Sequence, residues 1–363
     1  MSSYLFVLAG FEALREFFIS GQTIPFFHEY GHMARSVLSV IIFTIIVRIM
    51  LTDTHCHLDF NKFDEDREAV IQRAFDAGVS RILIPALDYE SSLAGIKLAE
   101  SHPNIFAAVG FHPTDLDKWT ESSIENLRNL ISPLNVTLNP SISLRINSAK
   151  GLVHHKGDSS LPTVAQNDMA NKIVAIGEIG LDYYWVKEPE KQAVQREILK
   201  QQLKLAQAVN KPVIIHMREE NDTWFGQASI DLLNILSEWH QELRTQNHPL
   251  QEKPGVLHSF NGNLETAQKA LELNFHIGVT GPVTYKNAEE KRNIIKQIPL
   301  TQLLIETDAP FLTPVPQRGK RNEPAFVAYI ADKIAEIHNT TREQIAAITL
   351  ENANRLFGWE ASF

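Results

Sequence analysis

Two histidines one residue apart, His55 and His57 in the stretch LTDTHCHLDF (51–60), close a short apolar segment. In an extended chain the side chains alternate with a period of two, so both imidazoles project to one side and Cys56 to the other. Two rings on one side can hold one metal ion, although an isolated histidine more often just satisfies a hydrogen bond. Further along the chain His112, Glu178, His216, His258 and Asp308 each stand at or just beyond the end of an apolar run. With His112 set aside, four histidines and two carboxylates make a mixed nitrogen and oxygen donor set. Such a set suits Zn, Mn, Fe or Ni and, with water and substrate oxygens added, Mg.

The elements that must position these groups follow a regular rhythm from residue 51 onward. Candidate strands are LTDTH (51–55), RILIPA (81–86), FAAVGF (106–111), IVAIGE (173–178), PVIIH (212–216), GVLHSF (255–260), FHIGV (275–279) and LLIET (303–307). Amphipathic helical spacing lies between them, clearest at 64–77, 190–209, 226–244, 287–297 and 325–338. Short apolar strands alternating with helices imply a parallel sheet with helices outside. Eight such units is the count of an α/β TIM (β/α)8 barrel. The alternative is a doubly wound open sheet, but no Gly-rich dinucleotide fingerprint follows the first strand.

In a barrel the C-terminal strand ends share one rim, where catalytic groups are found. Six imidazoles and carboxylates meeting there are hard to explain as packing, because buried polar groups without partners are costly. They exceed the needs of one tetrahedral ion, which implies two divalent ions (Mg, Mn or Zn) about 3.5–4 Å apart. Glu178, from the central fourth strand, is the candidate bridge. A bridged pair lowers the pKa of a bound water, and Asp308 is placed to hold one ion and take the proton. Glu178 and Asp308 are therefore the candidate catalytic residues.

Composition bounds the remainder. The chain has 363 residues, 44% hydrophobic and 21% charged, with a formal net charge of −9 that argues against a broad basic nucleic-acid-binding surface. The lone cysteine, Cys56, excludes an intramolecular disulfide and makes a reducing cytoplasm the natural compartment. Residues 1–50 contain VLSVIIFTIIV (Val37–Val47), 11 residues and too short for a membrane span, which needs about 20. This extension reads as a peripheral anchor, an added helix, or upstream sequence outside the mature protein; Met50 stands directly before the first strand. The hydrolase domain then covers 51–363, with residues 133–172, rich in Ser, Asn and Pro, as a surface insertion.

The motifs THCHLD (54–59), GFHP (110–113), GEIGLDYY (177–184), HMRE (216–219), HSFNG (258–262), ETDAP (306–310) and RNEP (321–324) together resemble the TatD family of metal-dependent deoxyribonucleases. Each motif is weak alone, but the ordered set, running from about residue 51 to the C-terminus, is specific. The resemblance implies a TIM barrel of the amidohydrolase-like group that hydrolyses DNA phosphodiesters, often as an exonuclease. It makes His55, His57 and Asp308 ligands of one ion, His216 and His258 ligands of a second, and Glu178 the bridge. The expected partner is DNA, single-stranded or with frayed ends. His112, Arg218 and Arg321 are candidate substrate contacts, since an arginine fork fits phosphate oxygens. Tyr183, Tyr184 and Trp185 are candidate base-stacking rings, with packing as their ordinary role. Residues 1–50 and 133–172 depart from the family pattern without removing a motif residue, so the chemistry stands; the insertion, which follows the third strand or the helix after it, bears on access of a long or duplex substrate. A competing class on the same scaffold is amide or ester hydrolysis, including aminoacyl-tRNA esters; Glu178, where many amide-hydrolysing relatives carry a modified lysine, favours the nuclease.

Overall fold

Eight runs rich in Val, Ile, Leu and Ala become eight parallel strands in the computed structural model, which describes residues 50–131 and 172–359. They are β1 (Leu51–Asp53), β2 (Val79–Ile84), β3 (Ile105–Val109), β4 (Ile173–Asp182), β5 (Val213–Arg218), β6 (Gly255–Leu257), β7 (His276–Val279) and β8 (Leu303–Ile305), hydrogen-bonded in chain order. Between and after them lie α1 (Arg67–Asp76), α2 (Tyr89–Ser101), α3 (Ser123–Ile131), α4 (Pro189–Val209), α5 (Gln227–Thr245), α6 (Leu264–Glu272), α7 (Glu289–Ile295), α8 (Val327–Ile337) and α9 (Arg342–Phe357). Every residue of β1, β4, β6, β7 and β8 is buried, as expected when helices cover a parallel sheet.

The sheet closes between its first and last strands just beyond their ends. The Thr54 N–H donates to Ile305 O at 3.2 Å, the Asp308 N–H to His55 O at 2.9 Å and the His57 N–H to Ala309 O at 2.8 Å. Closure gives the expected TIM barrel, and it also corrects the expected strand lengths. β1 stops at Asp53 and β8 at Ile305, so His55, His57 and Asp308 sit on the connecting segments where the chain changes its hydrogen-bonding partners. β6 likewise ends at Leu257, one residue before His258, while β4 runs on to Asp182.

Local signals account for the helix ends. Asp88 and Ser91 form a reciprocal capping box at the start of α2 (Ser91 N to Asp88 Oδ1 2.7 Å, Asp88 N to Ser91 Oγ 2.8 Å). α4 begins on Pro189 and stops at Asn210, whose φ of 53° is left-handed. The end of α9 meets a cluster drawn from six strands: Leu356, Phe357 and Trp359 pack with Leu83, Ala108, Val174, Ile214, Val256 and Leu304. That helix fills one end of the barrel and leaves the opposite rim for polar groups. The apolar run at 37–47 and the insertion at 133–171 lie outside the described residues. No described helix is long and apolar enough to cross a membrane.

β4 carries the geometry that the rim depends on. Its register against β5 shifts between Ile176 and Ile179, which pair with Val213 and Ile215, so β4 holds one extra residue there. Such a bulge re-aims side chains, here that of Glu178. Gly180 follows, at a φ of +148° and with a Cβ position only 2.0 Å from His216 O. Gly319 also has a positive φ, +87°, but open space around it. Gly180→Ala is therefore expected to destabilise the protein by more than the about 1–3 kcal/mol of backbone strain alone, and Gly319→Ala by no more than that strain. Chemical denaturation of the two variants checks the order; equal losses would show that β4 tolerates a side chain at Gly180.

Candidate metal centre

Glu178 lies at the centre of the rim, 3% exposed, and its two oxygens face different groups. Oε2 is 3.3 Å from His55 Nε2 and 3.7 Å from His57 Nε2. Oε1 is 2.8 Å from His216 Nδ1, 3.0 Å from His258 Nε2 and 3.5 Å from His112 Nε2. Asp308 Oδ1 completes the first group at 3.7 Å from both His55 Nε2 and His57 Nε2, and those two nitrogens are 3.3 Å apart. Donor atoms about 2.1 Å from a shared ion stand about 3.0–3.4 Å apart in octahedral or tetrahedral arrangement. The first group, at 3.3–3.7 Å, is close to that spacing, and neutral nitrogens and carboxylate oxygens are the right donors. The residues fit a divalent ion.

The supports of these side chains come from several strands. Asp53, at the end of β1, accepts from Thr307 N at 2.9 Å and Thr307 Oγ1 at 2.5 Å, tying the β1 and β8 segments together. Asn322, in the RNEP motif, donates to Thr307 O at 2.9 Å and Phe311 O at 2.5 Å. The Glu178 N–H donates to Ala86 O at 2.8 Å, and Ala86 N–H to Gly177 O at 3.0 Å. Gly110 permits that crossing, since a Cβ there would lie 3.1 Å from the Gly177 backbone.

All six expected ligands are brought together, with three refinements. His112, expected to contact substrate or brace its loop, stands with Glu178 and His216, while its Nδ1 is bonded to Thr114 Oγ1 at 2.7 Å. His258 faces Glu178 Oε1 but also groups with His55 and Asp308, stacking on the His55 ring at 3.7 Å between centroids. Sequence reasoning passed over Asp182 and Glu306. Asp182 Oδ2 is 3.0 Å from His216 Nε2, and the fully buried Glu306 has Oε2 3.6 Å from His258 Nδ1. Even spacing along one strand, Glu178 to Asp182, was the available signal for the first, and the position of Glu306 directly after the apolar run of β8, at the head of ETDAP, was the signal for the second.

The candidate substrate contacts lie further out. Arg218 is held by Asp222 (2.7 and 3.1 Å) and lies 3.8 Å over the Tyr184 ring. Arg321 donates to Lys62 O at 2.6 Å and Asp66 Oδ2 at 2.8 Å, which braces the β8 segment against the β1 segment. Tyr183 is core: buried, its hydroxyl donates to Asp231 Oδ2 at 2.6 Å. Trp185 is 66% exposed, and Trp224, Phe225 and Phe311 are also exposed on loops that follow strands. Cys56 is buried, and burial pushes its thiol well above 9, which leaves it unreactive.

Charge divides the centre. Burial, then the positive His258, pushes His55 down to about 4. Burial and His55 hold His57 well below the usual imidazole value, so both rings are neutral at pH 7. Burial also works against a charged His216, but hydrogen bonds to Asp182 and Glu178 outweigh it and push that ring up to about 9. His258 is likewise raised well above 6.5, burial being overcome by the charge and hydrogen bond of Glu178. Glu178 is held well below 4.5 because the surrounding histidines overcome its burial. Burial raises Asp308 to about 7 against the pull of His258.

A sign follows for metal binding. His216 and His258 carry protons at neutral pH in the metal-free protein, and a ligand nitrogen needs its lone pair, so binding there releases protons. Affinity should climb by at least about tenfold per pH unit between pH 6 and 8, since each released proton contributes one power of ten. Zinc titration in chelator-buffered solutions measures this. A flat profile would contradict the assigned protonation.

The chain is similar to known proteins over most of its length. Residues 52–358 match the family model described as TatD related DNase. The chain is 38% identical over 308 residues to YabD, an uncharacterized metal-dependent hydrolase of Bacillus subtilis, covering 85% of this chain and 99% of that one. It is 32% identical over 317 residues to YcfH, an uncharacterized metal-dependent hydrolase of Escherichia coli, covering 86% and 98%. The crystal structure of YjjV, a TatD homologue from Escherichia coli, aligns with a TM-score of 0.66 at 30% identity, covering 86% of this chain and 99% of that chain. With a buried histidine and carboxylate cluster at the rim of the barrel, the chain belongs to the TatD family of metal-dependent hydrolases.

Proposed function

We propose that this protein hydrolyses DNA phosphodiester bonds, working from single-stranded or frayed ends, and that His55, His57, Glu178, Asp308, His216 and His258 would hold two divalent ions for it. The observation that carries this reading is the division of the Glu178 carboxylate, with Oε2 toward His55 and His57 and Oε1 toward His216 and His258. Asp308 completes the first group and His112 the second. Bound divalent ions would supply charge to neutralise phosphate oxygens and would lower the pKa of a coordinated water.

The side chains have distinct tasks. Glu178, ionised and fixed by its imidazole neighbours, keeps the two groups in register. Burial raises the Asp308 carboxyl to about 7 in the metal-free protein; beside a bound ion it would be held ionised, and as a carboxylate partly open to solvent it is placed to accept a proton from water. The rim suits a flexible strand better than a broad duplex surface. Trp185 and Phe311 offer exposed faces for bases, and Arg218 and Lys62 lie against the Tyr184 and Phe311 rings. With a net charge of −9, attraction for a polyanion has to be local to these cations and to the centre. The family description, TatD related DNase, supports DNA as the substrate class.

Asp308→Asn removes the proton acceptor while keeping side-chain size. It should still bind single-stranded DNA but lose at least about a hundredfold in kcat, the low end for removal of a general base. Labelled oligonucleotides with and without EDTA provide the assay, and cleavage by the parent should stop when metal is chelated. EDTA-resistant cleavage, or an Asp308→Asn variant as fast as the parent, would overturn the reading. Turnover of aminoacyl-tRNA or other ester and amide substrates without nuclease activity would establish the competing hydrolase class instead.

A further inference from the structure

At the centre of the rim, His216 alone among the four expected histidine ligands has its outward nitrogen hydrogen-bonded to a carboxylate. Among the described residues the outward Nδ1 atoms of His55, His57 and His258 are buried without a hydrogen-bond partner, that of His258 lying 3.6 Å from Glu306 Oε2. His216 turns Nδ1 to Glu178 Oε1 at 2.8 Å and Nε2 to Asp182 Oδ2 at 3.0 Å. Asp182 is fixed to make that contact. It is the last residue of β4 and 1% exposed. Its backbone N–H donates to Gln195 Oε1 and its carbonyl accepts from Gln195 Nε2, both at 3.1 Å, while Gln195 also reaches Pro113 O at 2.8 Å. Its other oxygen, Oδ1, accepts from the Trp185 N–H at 2.8 Å. Oδ2 is left for His216.

We infer that Asp182 is a positioning residue: it accepts the Nε2 proton of His216 and so keeps the Nδ1 lone pair aimed at the metal position beside Glu178. A neutral imidazole has one N–H and one lone pair, and the acceptor on one nitrogen decides which is which. Carboxylates that hold the far side of a ligand histidine set its tautomer, and losing one typically weakens metal binding about 10–100-fold. An asparagine cannot do both jobs of Asp182. If its carbonyl oxygen keeps the Trp185 N–H, its NH2 group faces His216 Nε2, which must then accept and place the proton on Nδ1. If the amide flips, two donors meet at Trp185.

The inference rests on the metal reading of His216, and the test separates the two. Metal-stripped full-length protein is titrated with zinc against a chromophoric chelator, comparing the parent with Asp182→Asn and His216→Ala. One binding step should weaken about 10–100-fold in Asp182→Asn, with the thermal stability of the metal-free protein retained. An unchanged Asp182→Asn beside a weakened His216→Ala overturns the positioning role alone. If His216→Ala also binds zinc as the parent does, the metal reading of that group falls, and the inference with it. Ring-¹⁵N histidine spectra of the zinc-loaded parent need no folded Asp182 variant: the His216 proton should reside on Nε2, and a proton on Nδ1 would overturn the proposal.

Discussion

Everything at the rim depends on one buried carboxylate. Glu178 is all but sealed from solvent, with five imidazole rings within 2.8–3.7 Å of its oxygens. An isolated carboxylate at such a depth would be protonated or would destabilise the fold by several kcal/mol. Here the histidines hold it ionised, and it in turn holds His216 and His258 above their ordinary range. The arrangement is mutually required, and it needs a backbone able to deliver Glu178 to that point. The bulge in β4 and the absence of side chains at Gly110 and Gly180 provide it, since a Cβ at either glycine would press on the neighbouring chain.

The two halves of the centre differ in charge although they share that carboxylate. His55 and His57 come from the segment after β1, buried beside one another and beside His258, and they stay neutral. His216 and His258 come from β5 and the segment after β6, nearer to Oε1 of Glu178, and favour the protonated form. Without metal the imidazoles of this second half hold protons. Asp308 stands between these regimes, raised by burial and restrained by His258.

Much of this was legible in the sequence because the informative residues are costly to bury. Histidines and carboxylates at the ends of Val- and Ile-rich runs have few structural reasons to be there, and the eight-run rhythm placed them on one rim. Less legible were features that depend on distant partners. Strand ends at Asp53 and Ile305 are set by the closure of β8 onto β1, across some 250 residues of chain. The fit of α9 into the barrel depends on residues from six strands at once. Arg321 offered a phosphate fork on paper, but Asp66 and Lys62, brought alongside by the fold, engage it. Asp182, within GEIGLDYY, takes its role from a contact with His216 on the neighbouring strand.

The division of two ion positions by Glu178 is open to a direct measurement. Anomalous scattering from crystals of the manganese-loaded protein tests it most directly. Two peaks about 3.5–4 Å apart are expected, one beside His55, His57 and Asp308 and the other beside His216 and His258, with Glu178 between them. A single peak, or a pair lying away from that carboxylate, would contradict it.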